Sequence, residues 1–257
     1  MTPAGSMNNG WQFPAGWEPR MSNTKEIEFI CGDKNVLKHF PIVPAKDALP
    51  EWYRNLSAND INGVPTIAGC MPARDLITSG YIIPNAFEQE IIGTSFNLDD
   101  EQQIEVVYPV EEIGKFFELQ NHMTHPGNGH SHAQCPVPIQ GTKKSYFKIA
   151  LPWRIKVPKG YSCLFMQPFY HFESEFTLLP AIIDCDVIDM NTMHFPGFLK
   201  DPVAQLKVGQ PLIQVIPFKR DEWKSSLSYK KPSRSSKLNL FLHNMYKRAF
   251  HQKKSFQ

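Results

Sequence analysis

Residues 155–168 read IKVPKGYSCLFMQP, residues 181–189 read AIIDCDVID and residues 206–218 read LKVGQPLIQVIPF. Each is a short apolar run without a helical period and bounded by Pro, Gly or charge, the pattern of a core strand. Pro158-Lys159-Gly160 lies between two such runs, so one strand enters a tight turn and a second leaves it. The reading is a mainly β protein whose core strands fall at about 145–223.

The same grammar extends outward. YFKIALPWRIKVP (146–158), GYSCLFMQPFYHF (160–172), FTLLPAIIDCDVI (176–188) and FPGFLK (195–200) have strand character and end at Pro, Gly or Asn. Upstream, EIEFI, HFPIVP, PEWYRNL and GVPTIAGCMPARDLITSGYIIPNAF are apolar runs punctuated by proline, which favours strands and loops over long helices. ALPEWYRNL (48–56), with Pro50 at a first helical position, predicts one short helix, and EEIGKFFEL (111–119) another. EQQIEVVY (101–108) predicts a strand. Near the C-terminus, Leu238, Phe241, Leu242, Met245 and Ala249 recur at helical spacing and predict an amphipathic helix over 238–250.

Length sets the organisation. A chain of 257 residues suits one elaborated core, because single cores stop growing at roughly 250–300 residues. The expected division is an extended arm at 1–24, a single β-rich domain at 25–223, and a basic linker and helix at 224–257. The arm carries Trp11, Phe13 and Trp17, large aromatics that a plain leader would not need and that bury their surface only by docking. With 42% hydrophobic and 20% charged residues, wholesale disorder is excluded. No run approaches the roughly 20 apolar residues of a membrane span, and the first residues lack a signal peptide's basic and apolar regions, so a soluble, cytoplasmic protein is expected. Five cysteines without a C-x-x-C pair read as free thiols.

The net charge of +2 conceals an asymmetry: residues 219–257 carry 11 Lys+Arg against 2 Asp+Glu, leaving 16 against 23 in the rest of the chain. Such a tail binds nucleic acid or docks on an acidic face of its own or a neighbouring subunit. Lys230, Lys231, Arg234, Lys247 and Arg248 are its candidate contacts, and docking is the preferred reading.

Candidate chemistry is sparse. His122, His125, His130 and His132 fall within one Gly/Pro-rich loop followed by Cys135, and imidazoles so spaced could hold a divalent metal. None of the specific metal motifs accompanies them, so a His-rich surface loop without a cofactor is the default reading. Glycine signatures for phosphate and the nucleophile elbow are absent, which disfavours P-loop, Rossmann and α/β-hydrolase chemistry. Cys70 and Cys163 could be nucleophiles but read better as small core residues; His171 and His194 could form an acid/base pair with the nearby acidic run.

The order of Pro158-Lys159-Gly160, Asp184-Cys185-Asp186 and Gly209 to Gln214 resembles the core of the dUTPase and dCTP-deaminase family over about a quarter of the chain. That resemblance implies a β-clip-like fold and makes Asp184, Asp186 and Gln214 candidate catalytic residues. Where the family holds phosphate with Arg-Ser-Gly, this chain has Gln167-Pro168-Phe169-Tyr170-His171. PEWYRNL, CMPARDLITSGYIIP, PKGYSCLFMQP and GQPLIQVIPFKRDEW also look like a set of uncharacterised proteins of tailed phages, especially marine ones. Together these imply a non-catalytic homo-oligomer, best matched by a trimer, structural or accessory in a phage. It would meet virion or phage partner proteins and act in the host cytoplasm or the virion. The alternative is a nucleotide-binding or nucleotide-hydrolysing enzyme with an altered phosphate site.

Overall fold

The computed structural model describes residues 25–94, 103–107, 127–129, 134, 146–172, 174–188, 193–231 and 251–257. The arm with Trp11, Phe13 and Trp17, the expected helices at 111–119 and 238–250, the loop with His122, His125, His130 and His132, and Arg234, Lys247 and Arg248 lie outside these residues. No helix among the described residues is long and apolar enough to cross a membrane.

The protein is mainly β, and its sheets are antiparallel. In chain order the elements are β1 (Glu28–Cys31), α1 (Lys34–His39), β2 (Val43–Pro44), α2 (Glu51–Arg54), α3 (Met71–Ile77), β3 (Tyr81–Pro84), β4 (Gln89–Thr94), β5 (Gln103–Val107) and β6 (Gly127–Gly129). Then follow β7 (Tyr146–Leu151), β8 (Trp153–Lys156), β9 (Tyr161–Met166), β10 (Phe176–Leu178), β11 (Ala181–Ile183), β12 (Met193–Leu199), β13 (Val203–Leu206) and β14 (Pro211–Lys219). Four sheets result among the described residues: β1-β8, β10-β12-β7-β6, β11-β9-β14-β3-β2 and β13-β4-β5.

β14 organises the largest sheet. It pairs with β9 on one side and β3 on the other, and Leu212, Ile213, Gln214 and Val215 are buried in succession. A strand hydrogen-bonded on both sides and covered on both faces reads as a continuous apolar run, which is why PLIQVIPF shows no alternation. β13, with one face open, keeps the alternation that β14 lacks. Side chains from most of the strands converge in one apolar cluster that includes Ile83, Ile91, Phe147, Trp153, Phe165 and Phe195. Phe165 and Phe195 meet there with ring centroids 5.2 Å apart, joining the five-stranded to the four-stranded sheet.

Several local expectations are revised. YFKIALPWRIKVP is two strands, not one, because Pro152 lacks the N–H to continue β7's ladder; β8 leaves to pair with β1. Pro180 divides β10 from β11 in the same way. The Pro158-Lys159-Gly160 turn has a strand on either side as expected, and it joins two sheets: β8 pairs with β1, and β9 with β11 and β14. Tyr161 N–H bonds Pro158 C=O at 3.1 Å with Gly160 at φ +86°, a turn whose third residue must be left-handed. The helix expected at 48–56 is a single turn, with Pro50 as its extended N-cap and not its first residue. CMPARDLITSG forms α3, a helix hidden in the sequence by its flanking prolines and glycines.

Candidate functional site

Gly160 N–H donates to Asp186 Oδ2 at 2.8 Å, and Gly160 C=O accepts from Arg220 N–H at 2.9 Å. Arg220 lies just past β14, whose pairing of Phe218 with Ser162 and Lys219 with Tyr161 delivers it to the turn. Its guanidinium grips Asp186 with two bonds, Nη1 to Oδ1 at 2.8 Å and Nη2 to Oδ2 at 2.5 Å, the fork geometry that makes Arg–carboxylate pairs strong. Nη1 also lies 3.1 Å from Asp184 Oδ1, which accepts from Ser162 Oγ at 2.6 Å. The two aspartates expected as a site are thus brought together, and their chief partner is an arginine.

The electrostatics follow from this geometry. The Asp186 side chain is 1% exposed, and the Arg220 hydrogen bonds, followed by the Gly160 N–H, hold its pKa down at about 2. A carboxylate so held is a poor proton acceptor near neutrality. Beside the pair, Cys163 and Cys185 are buried free thiols in mutual contact. The hydrogen bond to Cys185, with burial, pushes the Cys163 thiol up, as expected for a wholly buried core thiol. Cys70, by contrast, is exposed at the N-cap of α3.

Gln214 is elsewhere. It faces Met166 across the β9–β14 ladder while Phe218 faces Ser162, and four residues of strand separate the two ends by about 13 Å. Its side chain is buried and fully engaged: Nε2 donates to Leu76 C=O at 3.0 Å and Ser79 C=O at 2.8 Å, and Oε1 accepts from Phe169 N–H at 3.3 Å. It ties the end of α3 and the loop after β9 to the central strand. His194 sits on β12 opposite Ala150, and His171 on the loop after β9, so the two belong to different elements. Among the described residues no group of three or more His, Cys, Asp or Glu is placed to hold a metal ion.

The loop after β9 builds something the sequence did not announce. Tyr170 adopts φ +64°, rare for an aromatic residue, and its C=O accepts from Trp52 Nε1–H at 2.9 Å. Trp52 stacks on Phe172 with centroids 5.6 Å apart, and Tyr53 on Tyr170 at 6.3 Å. Phe172 is 71% exposed, and Trp52 and Phe169 are also open to solvent. PEWYRNL and QPFYHF, more than 100 residues apart in sequence, form one aromatic surface patch. The signal was the aromatic density of both stretches; their meeting is a tertiary fact.

Downstream of Arg220 the chain from 221 to 231 forms neither helix nor strand and makes no backbone hydrogen bond to any described residue. Trp223 is 90% exposed, Tyr229 87%, and Leu227 wholly so; Lys230 and Lys231 are exposed beside them. The final residues return to the body. Asp75 on α3 binds His251 Nε2 at 2.9 Å and the Lys254 ammonium, Phe256 packs edge-on to Tyr81, and Tyr81 donates to Gln257 C=O at 3.2 Å. Comparison with protein-family models gives no match, and comparison with curated proteins gives none.

Proposed function

We propose that this chain is a non-catalytic, oligomeric protein of tailed-phage type, structural or accessory, that acts through contacts with its own copies and with virion or phage partners. The reading includes a β-clip-like core, assembly as a trimer in the host cytoplasm, and carriage into the virion. One observation carries it: Trp223, Leu227 and Tyr229 stand 87% or more exposed on a segment with no fold of its own. A soluble chain does not keep three large apolar side chains in water on one short segment unless a partner covers them. The second support is the acidic pair. Arg220 and Gly160 occupy Asp186, and Gln214 lies at the far end of the ladder, which supports a non-catalytic role for these residues.

Sedimentation velocity and mass photometry of the full chain test the reading. A defined oligomer at micromolar concentration supports it, and a monomer overturns it. Magnesium-dependent pyrophosphate release from dUTP or dCTP that disappears in Asp184→Asn would overturn the non-catalytic part and promote a nucleotide hydrolase.

A further inference from the structure

We propose that residues 223–230 are a strand donated to a second copy of this chain, pairing along the outer edge of β11. The inference rests on the oligomeric reading above and names the two surfaces that would make it. Trp223, Ser225, Leu227 and Tyr229 alternate with Lys224, Ser226, Ser228 and Lys230, so an extended backbone puts the large apolar residues on one face and both lysines on the other. This is the pattern of a half-buried strand, yet the segment has no sheet partner among the described residues and its apolar face is in water.

β11 is the complementary surface. It is an edge strand, paired on its inner side with β9 and bordered on its outer side by no described strand. Edge strands are normally guarded by charge or proline within the strand, whereas β11 reads Ala181-Ile182-Ile183, with Ile182 64% exposed at its centre. The turn that follows adds exposed Val187 and Ile188. Asp184 at the strand's end is already met by Arg220 Nη1 and Ser162 Oγ, so an incoming arm would be held by the backbone ladder and by its apolar face. Eight extended residues span about 26 Å, enough to pair along the three residues of β11 and still cover the turn beyond it.

The arm is not placed to serve its own β11. Arg220 pins the root to Gly160 and Asp186, and because β11 and β14 both run antiparallel to β9, the chain leaves β14 past their common end, so serving its own β11 would require it to cross β9 and reverse direction at once. Donation to a neighbour is head-to-tail, because arm meets edge and not arm, and repeated by rotation it closes a ring such as a trimer.

Two full-length variants test the pairing: an arm variant, Trp223→Ser with Leu227→Ser and Tyr229→Ser, and an edge variant, Ile182→Lys. All four side chains are exposed, so each variant should keep the parent's far-ultraviolet circular dichroism and still unfold cooperatively; Val187→Lys is a second edge variant if Ile182→Lys does not. Expected results by mass photometry are an oligomer for the unaltered chain and monomers for each variant alone. Mixing arm and edge variants, one carrying a mass tag, should give only a one-to-one heterodimer, since one competent arm and one competent edge remain. An arm variant that assembles like the unaltered chain would overturn this inference while leaving the oligomeric reading standing. Monomeric variants that form no heterodimer would overturn β11 as the receiving edge. An unaltered chain that stays monomeric would overturn both.

Discussion

Arg220 does for the acidic segment what a ligand or metal would otherwise do: it satisfies a carboxylate whose side chain is 1% exposed. Removing it leaves Asp186 with the Gly160 N–H as its principal remaining stabiliser. Because Asp186 is held at about 2, below an unfolded aspartate, the pair's contribution is complete above the unfolded value near 4 and is lost as pH falls through about 2. Arg220→Gln is therefore expected to lower thermal stability at neutral pH and to raise the midpoint of acid unfolding, followed by circular dichroism from pH 7 downward. An unchanged acid midpoint would mean that the fork contributes nothing to folding. Asp184 and Asp186 were legible as a pair because they sit in an acidic run between strands. Arg220 was not, since nothing within the sequence links position 220 to position 186 before β9 and β14 are paired.

Among the elements, proline misled and informed in equal measure. The apolar runs located the strands, but YFKIALPWRIKVP and FTLLPAIIDCDVI each hold a proline that ends one strand and starts another in a different sheet. Sheet membership depends on long-range pairing, which periodicity does not encode. The same limit hid Gln214's role: in sequence it is a polar residue in an apolar strand, and only the packing of α3 and the 168–172 loop against β14 explains it. Gln214→Leu keeps the volume but deprives Ser79 C=O of its side-chain donor and Phe169 N–H of its acceptor, and leaves Leu76 C=O with the Ser79 N–H alone. Each group kept from water costs about 1–3 kcal/mol. The expected outcome is a lower urea midpoint with an unchanged slope, together with faster amide exchange at the C-terminal end of α3. A slope change instead would indicate that the strand order itself is disturbed.

At the scale of the whole molecule, the division into an acidic body and a basic tail was readable from composition, and docking was the preferred consequence. The last seven residues do reach the body, where Asp75 holds both His251 and Lys254 and Tyr81 receives Phe256. Burial acts against the Asp75 carboxylate, but the hydrogen bonds and charges of Lys254 and His251 outweigh it and lower its pKa. The attachment should therefore be retained near neutrality and weaken as pH falls through that lowered value. It should also be sensitive to salt, since Lys254 is partly exposed and raising ionic strength from about 0.1 M to 1 M shortens the Debye length from roughly 10 to 3 Å. An exposed pair of this kind is worth about 0.2–1 kcal/mol, so the test is a difference between chains and not an absolute melting temperature. The unaltered chain should lose stability relative to Asp75→Asn as sodium chloride is added, and limited trypsin digestion should cut at Lys253 and Lys254 sooner in Asp75→Asn. Nucleic acid supplies the competing outcome. A tail already compensated by the body should bind a short labelled oligonucleotide feebly at any salt, whereas tight binding at low salt that falls by roughly 0.7–0.9 logarithmic units per neutralised phosphate for each tenfold rise in salt would show that the remaining tail cations face outward to phosphate. If that binding survived in Asp75→Asn and vanished on truncation at Ser225, the tail's partner would be nucleic acid and its contact with α3 merely an anchor.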